Sequence, residues 1–95
     1  MVECEDMADH KRLERILKAS ANRRRFRILA FLKRENEAAV GAVAEHIHLS
    51  FKSTSRHLAV LYSAELVERT QRSSEVFYRL SETLHPTVRE ILKHV

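Results

Sequence analysis

The chain has 95 residues, of which 44% are apolar and 32% charged, so it can form one domain with a modest core and is too apolar to remain disordered. Its net charge is +4, but residues 1–9 carry four acidic residues and no basic one, which leaves 17 basic and 9 acidic residues (13 minus 4), or +8, for the remainder. This positive surplus is typical of a protein that binds a polyanion.

The composition also excludes several classes of protein. A single cysteine, Cys4, excludes an intrachain disulfide and a cysteine-rich zinc site, which suits a reducing cytoplasm. No apolar run approaches the ~20 residues of a membrane span, and the acidic start, MVECEDMADH, is unlike a secretory or transit peptide. Phosphate-binding glycine loops and the common hydrolase and zinc-protease motifs are absent. We therefore expect a cytoplasmic protein that is not an enzyme, needs no cofactor and does not contact a membrane.

Capping residues and apolar spacing predict two helices in the first third of the chain. Residues 1–8 are expected to form a flexible N-terminus before a single domain over residues 9–95. Asp9 is the expected N-cap of a first helix over residues 9–19. Asn22 is the expected N-cap of a second helix over about 23–34, which is apolar around much of its surface and should form the centre of the core. The first turn of that helix carries Arg23, Arg24 and Arg25, which oppose the helix dipole and favour a nearby anion.

The middle of the chain predicts a helix-turn-helix over residues 41–62. A very short strand at 38–40 is followed by a third helix over about 41–47, a tight turn at His48, and a fourth helix for which Ser50 is a good N-cap. In the fourth helix Leu58 and Leu61 share one face with Thr54, at i, i+4 and i+7. This apolar face is expected to pack against the core.

The opposite face of the fourth helix is suited to a DNA groove. It carries Lys52, Ser53, Ser55 and Arg56, and no acidic residue occurs from 49 to 64. Short polar side chains allow close approach, and the two parallel donors of arginine match the edge of guanine. We expect these four residues to face base edges or flanking phosphates, with Arg56 as the main base-reading residue, and a phosphate contact from His57 remains open.

A β-hairpin and a last helix complete the predicted order. Two segments rich in β-branched and aromatic residues flank Ser73 and predict a hairpin, or wing, over residues 66–80. Arg69, Arg72 and the serines of the wing would contact the phosphate backbone beside the groove. Pro86 suits the first position of a helix over residues 86–94.

Three segments resemble the ArsR-type winged helix-turn-helix repressors. They are ILKASANRRRFRILAFL before and in the core helix, VGAVAEHIHLSFKSTSRHLAVL in the helix-turn-helix, and ELVERTQRSSEVFYRL in the wing. The resemblance spans about Leu17 to Leu80, and all three segments occur in the expected order and spacing. It implies a mainly α fold with a small β-hairpin, in the order α-α-(β)-α-α-β-β-α, and a sequence-specific regulator of transcription, most often a repressor.

The resemblance also implies a homodimer that binds an operator in double-stranded DNA, with an inverted repeat as its expected form. Helices 9–19 and 86–94 would pair across a two-fold axis and place the recognition helices about one DNA turn apart, roughly 34–36 Å. The expected dimer contacts are apolar residues of these two helices: Leu13, Ile16, Leu17, Val88, Ile91, Leu92 and Val95. Secondary phosphate contacts are expected from Arg24 and Arg25.

The sequence departs from the family pattern at four places. Arg23 stands where proline is usual, the wing tip lacks glycine, and Thr54 replaces an apolar residue of the recognition helix. His48 replaces the glycine of the helix-turn-helix and would have to adopt a left-handed backbone conformation. Each change could cost on the order of 1 kcal/mol of stability.

The usual metal sites of the family are not matched. The Cys-x-Cys pair at the start of the third helix corresponds to residues 40–43, Val-Gly-Ala-Val. The last helix offers only His85, Glu90 and His94, without an Asp-x-His pair, although zinc requires four ligands. We therefore expect no metal site of the usual kind. Two alternatives stay open: a metal-responsive repressor that uses these last-helix residues, and a winged helix that binds another protein rather than DNA.

Overall fold

The computed structural model describes the backbone of residues 3–95 and the side chains of residues 10–95. The elements are α1 (Glu3–Ser20), α2 (Arg23–Glu35), β1 (Ala38–Ala39), α3 (Val40–Ile47), α4 (Phe51–Ser63), β2 (Val67–Arg72), β3 (Glu75–Leu80) and α5 (Pro86–Leu92). The predicted order of elements is confirmed. None of the helices within residues 3–95 is both long and apolar enough to cross a membrane.

Several predicted boundaries were wrong by a few residues. Helix α1 begins at Glu3, so Asp9 lies inside the helix and is not its N-cap. The acidic residue types at positions 3, 5 and 6 are ones that the first turn of a helix prefers. The expected flexible segment 1–8 therefore overlaps α1, and residues 1 and 2 lie outside the described residues. Helix α5 ends at Leu92, two residues before the predicted end.

Capping side chains determine where α2 and α4 begin. The Asn22 side chain accepts hydrogen bonds from the amides of Arg24 and Arg25 at 3.0 and 3.1 Å. Ser50 Oγ accepts one from the Ser53 amide at 3.1 Å. Such caps satisfy amides that have no partner inside the helix, and both predicted N-caps are confirmed.

The hairpin and the short strand form one antiparallel sheet in the order β1-β3-β2. Strand β2 pairs with β3 from Val67 opposite Leu80 to Arg72 opposite Glu75. Strand β1 adds Ala38 opposite Tyr78 on the other edge of β3. The sheet thereby joins the wing to the segment that leads into α3.

One core holds the helices and the sheet together. Its fully buried apolar side chains come from α2, α3, α4, α5 and the residue just before β2: Ile28, Leu29, Leu32, Val43, Leu58, Leu61, Leu66 and Val88. Because α4 contributes Leu58 and Leu61 to this core, its opposite face is left on the protein surface.

Candidate nucleic-acid interface

The outward face of α4 is basic and open. Lys52 and Arg56 are exposed, whereas Thr54, Leu58 and Leu61 are buried on the opposite side. Among residues 10–95, no acidic side chain forms an ion pair with Lys52 or Arg56. Their charges therefore remain available to an anionic partner.

The turn before α4 orients this face. His48 has φ 59° and ψ 46°, the left-handed conformation expected for the position that usually holds glycine. Its amide donates to the carbonyl of Ala44 and so ends α3. A residue with a Cβ atom adopts this conformation at some cost, but the turn is retained.

Arg25 links the end of α1 to α4. Its Nε donates to the carbonyl of Ala19 at 2.8 Å, and its Nη2 donates to that of Lys18 at 3.3 Å. Its Nη1 lies 3.5 Å from Nδ1 of His57 on α4. The guanidinium predicted to contact phosphate is thus largely occupied inside the protein, while Arg24 stays exposed.

His57 is half-buried beside this link. Desolvation lowers its pKa, and the positive charges of Arg25 and Arg24 lower it further. The imidazole is therefore neutral at pH 7 and can take part in hydrogen bonds without adding charge.

The wing places its two arginines in different environments. The guanidinium of Arg69 stacks 4.1 Å from the ring centre of Tyr62 on α4. Arg72 instead forms a two-pronged ion pair with Glu37, with Nη1–Oε1 and Nη2–Oε2 distances of 2.9 and 2.6 Å. It also lies 4.7 Å from the ring centre of Phe77. This hydrogen-bonded pair lowers the pKa of Glu37, which stays ionised.

The hairpin turn between β2 and β3 is exposed. Ser73 has φ 56°, so a non-glycine residue takes the left-handed position of this tight turn. Ser73 is exposed at the tip of the wing.

Sequence reasoning assigned no role to Phe51, the first residue of α4. Its side chain is 63% exposed. Together with Ser55 and the wing residues Ser74 and Glu75, it lines a recess of about 260 Å³ between α4, the wing and the start of α3. Helical spacing does not give this signal, because Phe51 continues the stripe of Thr54 and Leu58 at i, i+3 and i+7, and only the structure shows that its ring extends past the core.

The seven apolar residues predicted at the dimer interface divide into two groups. Three of them are at most 3% exposed and belong to the core of the protomer itself: Ile16, Val88 and Leu92. Leu17 (49% exposed), Ile91 (37%) and Val95 (53%) face outwards, and Leu13 is half-buried. Leu17 and Ile91 line an apolar groove together with Phe26. The exposed apolar surface is thus smaller than the sequence predicts, but it is continuous between α1 and α5.

The last-helix candidates for metal binding are used otherwise. Nδ1 of His85 accepts a hydrogen bond from the Thr87 amide at 3.1 Å and caps α5. Nε2 of His94, two residues past the end of α5, lies 3.6 Å from Oε2 of Glu90. Within residues 10–95, no three His, Cys, Asp or Glu side chains are grouped to hold a metal ion.

Comparison with known proteins places this interface in a family. The family described as "Bacterial regulatory protein, arsR family" matches residues 22–69, which contain α2, α3 and α4. The transcriptional activator HlyU of Vibrio cholerae is 40% identical over 77 residues, covering 81% of this chain and 70% of that protein. The transcriptional repressor SdpR of Bacillus subtilis is 32% identical over 72 residues, covering 76% and 79%.

Solved structures agree with these sequence matches. Reduced HlyU from Vibrio cholerae superposes with a TM-score of 0.80 at 34% identity, covering 99% of this chain and 93% of that one. The homodimeric winged helix-turn-helix DNA-binding domain of Mb0332 from Mycobacterium bovis gives a TM-score of 0.79 at 30% identity, covering 93% and 78%. The resemblance noted in the sequence is confirmed.

Proposed function

Since the chain belongs to the ArsR family of bacterial regulatory proteins, we propose that it binds an inverted-repeat operator in double-stranded DNA as a homodimer. It is a DNA-binding transcription regulator with a winged helix-turn-helix fold, and its relatives are regulators rather than enzymes. The observation that carries the proposal is the outward face of α4, where Lys52 and Arg56 are exposed on a helix without acidic residues. Such a face complements the phosphates and base edges of a major groove.

The residues of α4 take separate roles in this proposal. Arg56 donates two parallel hydrogen bonds to guanine, and Lys52 contacts a base edge or a phosphate. Ser53 and Ser55, both half-buried, flank this pair and allow the helix to approach the groove closely. His57 is neutral and contributes a hydrogen bond to a phosphate.

The wing and the start of α2 hold the DNA backbone. Arg69 and Ser73 are exposed and reach phosphates beside the groove, and Arg24 does so on the opposite side of α4. Arg72 has five N–H donors, of which the pair with Glu37 uses two, so the pair withholds part of this cation from DNA. The remaining donors of Arg72 can still face a phosphate.

A second copy of the chain covers the apolar surface between α1 and α5. The groove lined by Leu17, Phe26 and Ile91 has a volume of about 400 Å³ and is bordered by Ser20, Asn22 and Arg23. Val95, three residues past the end of α5, is a further exposed apolar residue. Exposed apolar surface of this kind is stabilised by burial against a partner, and a dimer doubles the positive charge presented to DNA.

Charge placed in this groove tests the dimer. Leu17→Glu combined with Ile91→Glu should give a monomer in analytical ultracentrifugation, because each protomer would have to bury two added carboxylates in the interface. Val60→Glu is the matched control, since Val60 is 41% exposed on α4, outside the groove, and this variant should stay dimeric. A dimeric double variant would overturn the proposed interface.

We propose repression as the mode of action. A dimer bound across two half-sites excludes other proteins from that DNA, and the relative SdpR is named a repressor whereas HlyU is named an activator. A reporter gene under the protein's own upstream region tests the direction. Expression should rise when the protein is removed, and a fall would show activation.

Fluorescence anisotropy with the upstream DNA and a scrambled duplex tests the binding itself. Tight binding that prefers the native duplex and weakens steeply with salt is expected. Arg56→Ala should cost about 1–3 kcal/mol of binding free energy and relax selectivity at one base pair. If Lys52 binds a phosphate, Lys52→Ala should lower the slope of log binding constant against log salt concentration by about 1. Arg34→Ala, at the far end of α2, removes the same charge away from α4 and should have little effect. Equal, salt-insensitive binding of both duplexes would contradict the proposal.

A zinc titration of the same duplex separates the metal-responsive alternative. We expect affinity to be unchanged by zinc, because His85 caps α5 through Nδ1 and no three possible ligands are grouped within residues 10–95. Zinc-dependent release of the DNA would instead assign Glu90 and His94 to an inducer site.

A further inference from the structure

We propose that Phe51 determines part of the operator sequence by contacting the C5-methyl group of a thymine in each half-site. The inference rests on the proposed DNA binding and adds a base-reading residue to it. Phe51 is the first residue of α4 and has the most exposed side chain among the large apolar residues from 10 to 95. Its ring contributes little to the core of the free protein.

Phe51 lies in the first turn of α4, at the edge between the core-facing stripe and the wing. With ~3.6 residues per turn, it is about 20° around the helix from Leu58, about 40° from Ser55 and about 140° from Arg56. The recess beside it is lined by Ser55 and, on the wing, by Ser74 and Glu75. A base that meets Phe51 is therefore a different one from the base read by Arg56, displaced towards the wing.

The chemistry of the side chain selects the base. Phenylalanine has no hydrogen-bond donor or acceptor, so it cannot recognise the polar edges of guanine, cytosine or adenine in the major groove. Thymine alone among the four bases presents an apolar group there, the C5-methyl. Contact between the ring and this methyl would remove apolar surface from water on both sides, whereas a polar edge in the same place would lose its hydration.

The alternative role for Phe51 is a purely structural one. A ring that closed the core or held the wing against α4 would be covered by its neighbours, but most of the Phe51 surface is open and an unfilled recess separates α4 from the wing. The contact between α4 and the wing is made instead by Tyr62 and Arg69. Phe51 is consequently free to meet a ligand at the surface.

Replacement of thymine by deoxyuridine tests the contact directly, because it removes only the methyl group. The parent dimer selects duplexes from a randomised pool, and each thymine of the enriched sequence is then replaced in both half-sites. One thymine should prove sensitive, with a loss of about fourfold in affinity per half-site, the factor for one methyl-sized group. In Phe51→Ala this thymine-to-uracil penalty should vanish, and in Phe51→Leu part of it should remain. Lys52→Ala, in the same helical turn, should bind more weakly but keep the full penalty.

The outcomes separate this inference from the proposed function. If the parent enriches a sequence but Phe51→Ala retains every thymine-to-uracil penalty, Phe51 does not read thymine and the DNA-binding proposal stands. If the parent enriches no sequence, both proposals fail. Thermal unfolding of the Phe51 variants should match the parent closely, since the replaced ring is mostly exposed.

Discussion

Replacement of Thr54 by valine measures the cost of a buried hydroxyl that has no partner. The Thr54 side chain is 0% exposed, and its Oγ1 finds no hydrogen-bond partner among residues 10–95. Such a hydroxyl costs about 1–3 kcal/mol of stability. Valine has nearly the same shape and the same branching at Cβ, so the change leaves the helix propensity almost unaltered. We expect Thr54→Val to stabilise the protein by about 1–3 kcal/mol, or about 4–8 °C in Tm per kcal/mol for a domain of this size.

Thermal and urea unfolding of parent and variant give the magnitude. Both proteins are measured at one protein concentration, because the stability of a dimer depends on concentration. Thr54→Ser is the matched control: it keeps the hydroxyl, removes the methyl and should destabilise by about 1 kcal/mol. DNA affinity should stay unchanged, since Thr54 faces the core. A less stable Thr54→Val would mean that the hydroxyl is hydrogen-bonded in solution, for instance through a buried water, and would refute the reasoning.

Three further predictions concern polar contacts. Glu37→Gln weakens the ion pair with Arg72 and frees a wing cation, so DNA binding should tighten and become more salt-dependent between about 50 and about 200 mM salt. Glu75→Gln is the control, because it removes the same charge from the wing without affecting this pair. An equal gain in affinity in both variants would contradict a specific role for the Glu37–Arg72 pair. Burial and nearby arginines lower the pKa of His57 in the folded protein. Below about pH 6.5, the usual pKa of histidine in an unfolded chain, the folded protein therefore binds fewer protons than the unfolded chain. The free energy of unfolding should consequently fall as the pH falls. Urea midpoints from about pH 8 to about pH 5 should therefore decline less in His57→Gln, and identical profiles would exclude His57 as a cause. Lys33 Nζ donates to the carbonyls of Leu92 and Val95, in and just past the end of α5, at 2.6 and 3.4 Å. Lys33→Met should therefore lower the free energy of unfolding by about 1 kcal/mol and raise the dimer dissociation constant. An unchanged dissociation constant would show that the end of α5 does not contribute to the interface.

Local signals account for the elements that were predicted correctly. The caps at Asn22 and Ser50 act on amides two or three residues away, so the residue types alone suffice to locate the starts of α2 and α4. The left-handed turn at His48 follows from the same short-range geometry. The stripe of Leu58 and Leu61 shows which side of α4 meets the core, because helical periodicity is a property of neighbouring turns. The fold and the basic face of the recognition helix could thus be predicted.

Local signals failed where a helix has no distinct boundary in sequence. The first helix starts at Glu3 rather than Asp9, since both positions offer residues that suit a helix start. The last helix ends at Leu92 although its apolar pattern continues to Val95. There the carbonyls are taken by Lys33 of α2, a residue 59 positions away from Leu92.

The sequence by itself determined the order of elements, the helix caps and the charge of the groove-facing surface, because these depend on residues a few positions apart. Only the tertiary structure decided which charged side chains are free. Arg72 pairs with Glu37, 35 positions away, and Arg25 reaches His57, 32 positions away, so two predicted phosphate contacts are engaged within the protein. These pairings arise when β3 joins β1 to the wing and when the core brings α2 against α4, contacts that no local pattern encodes.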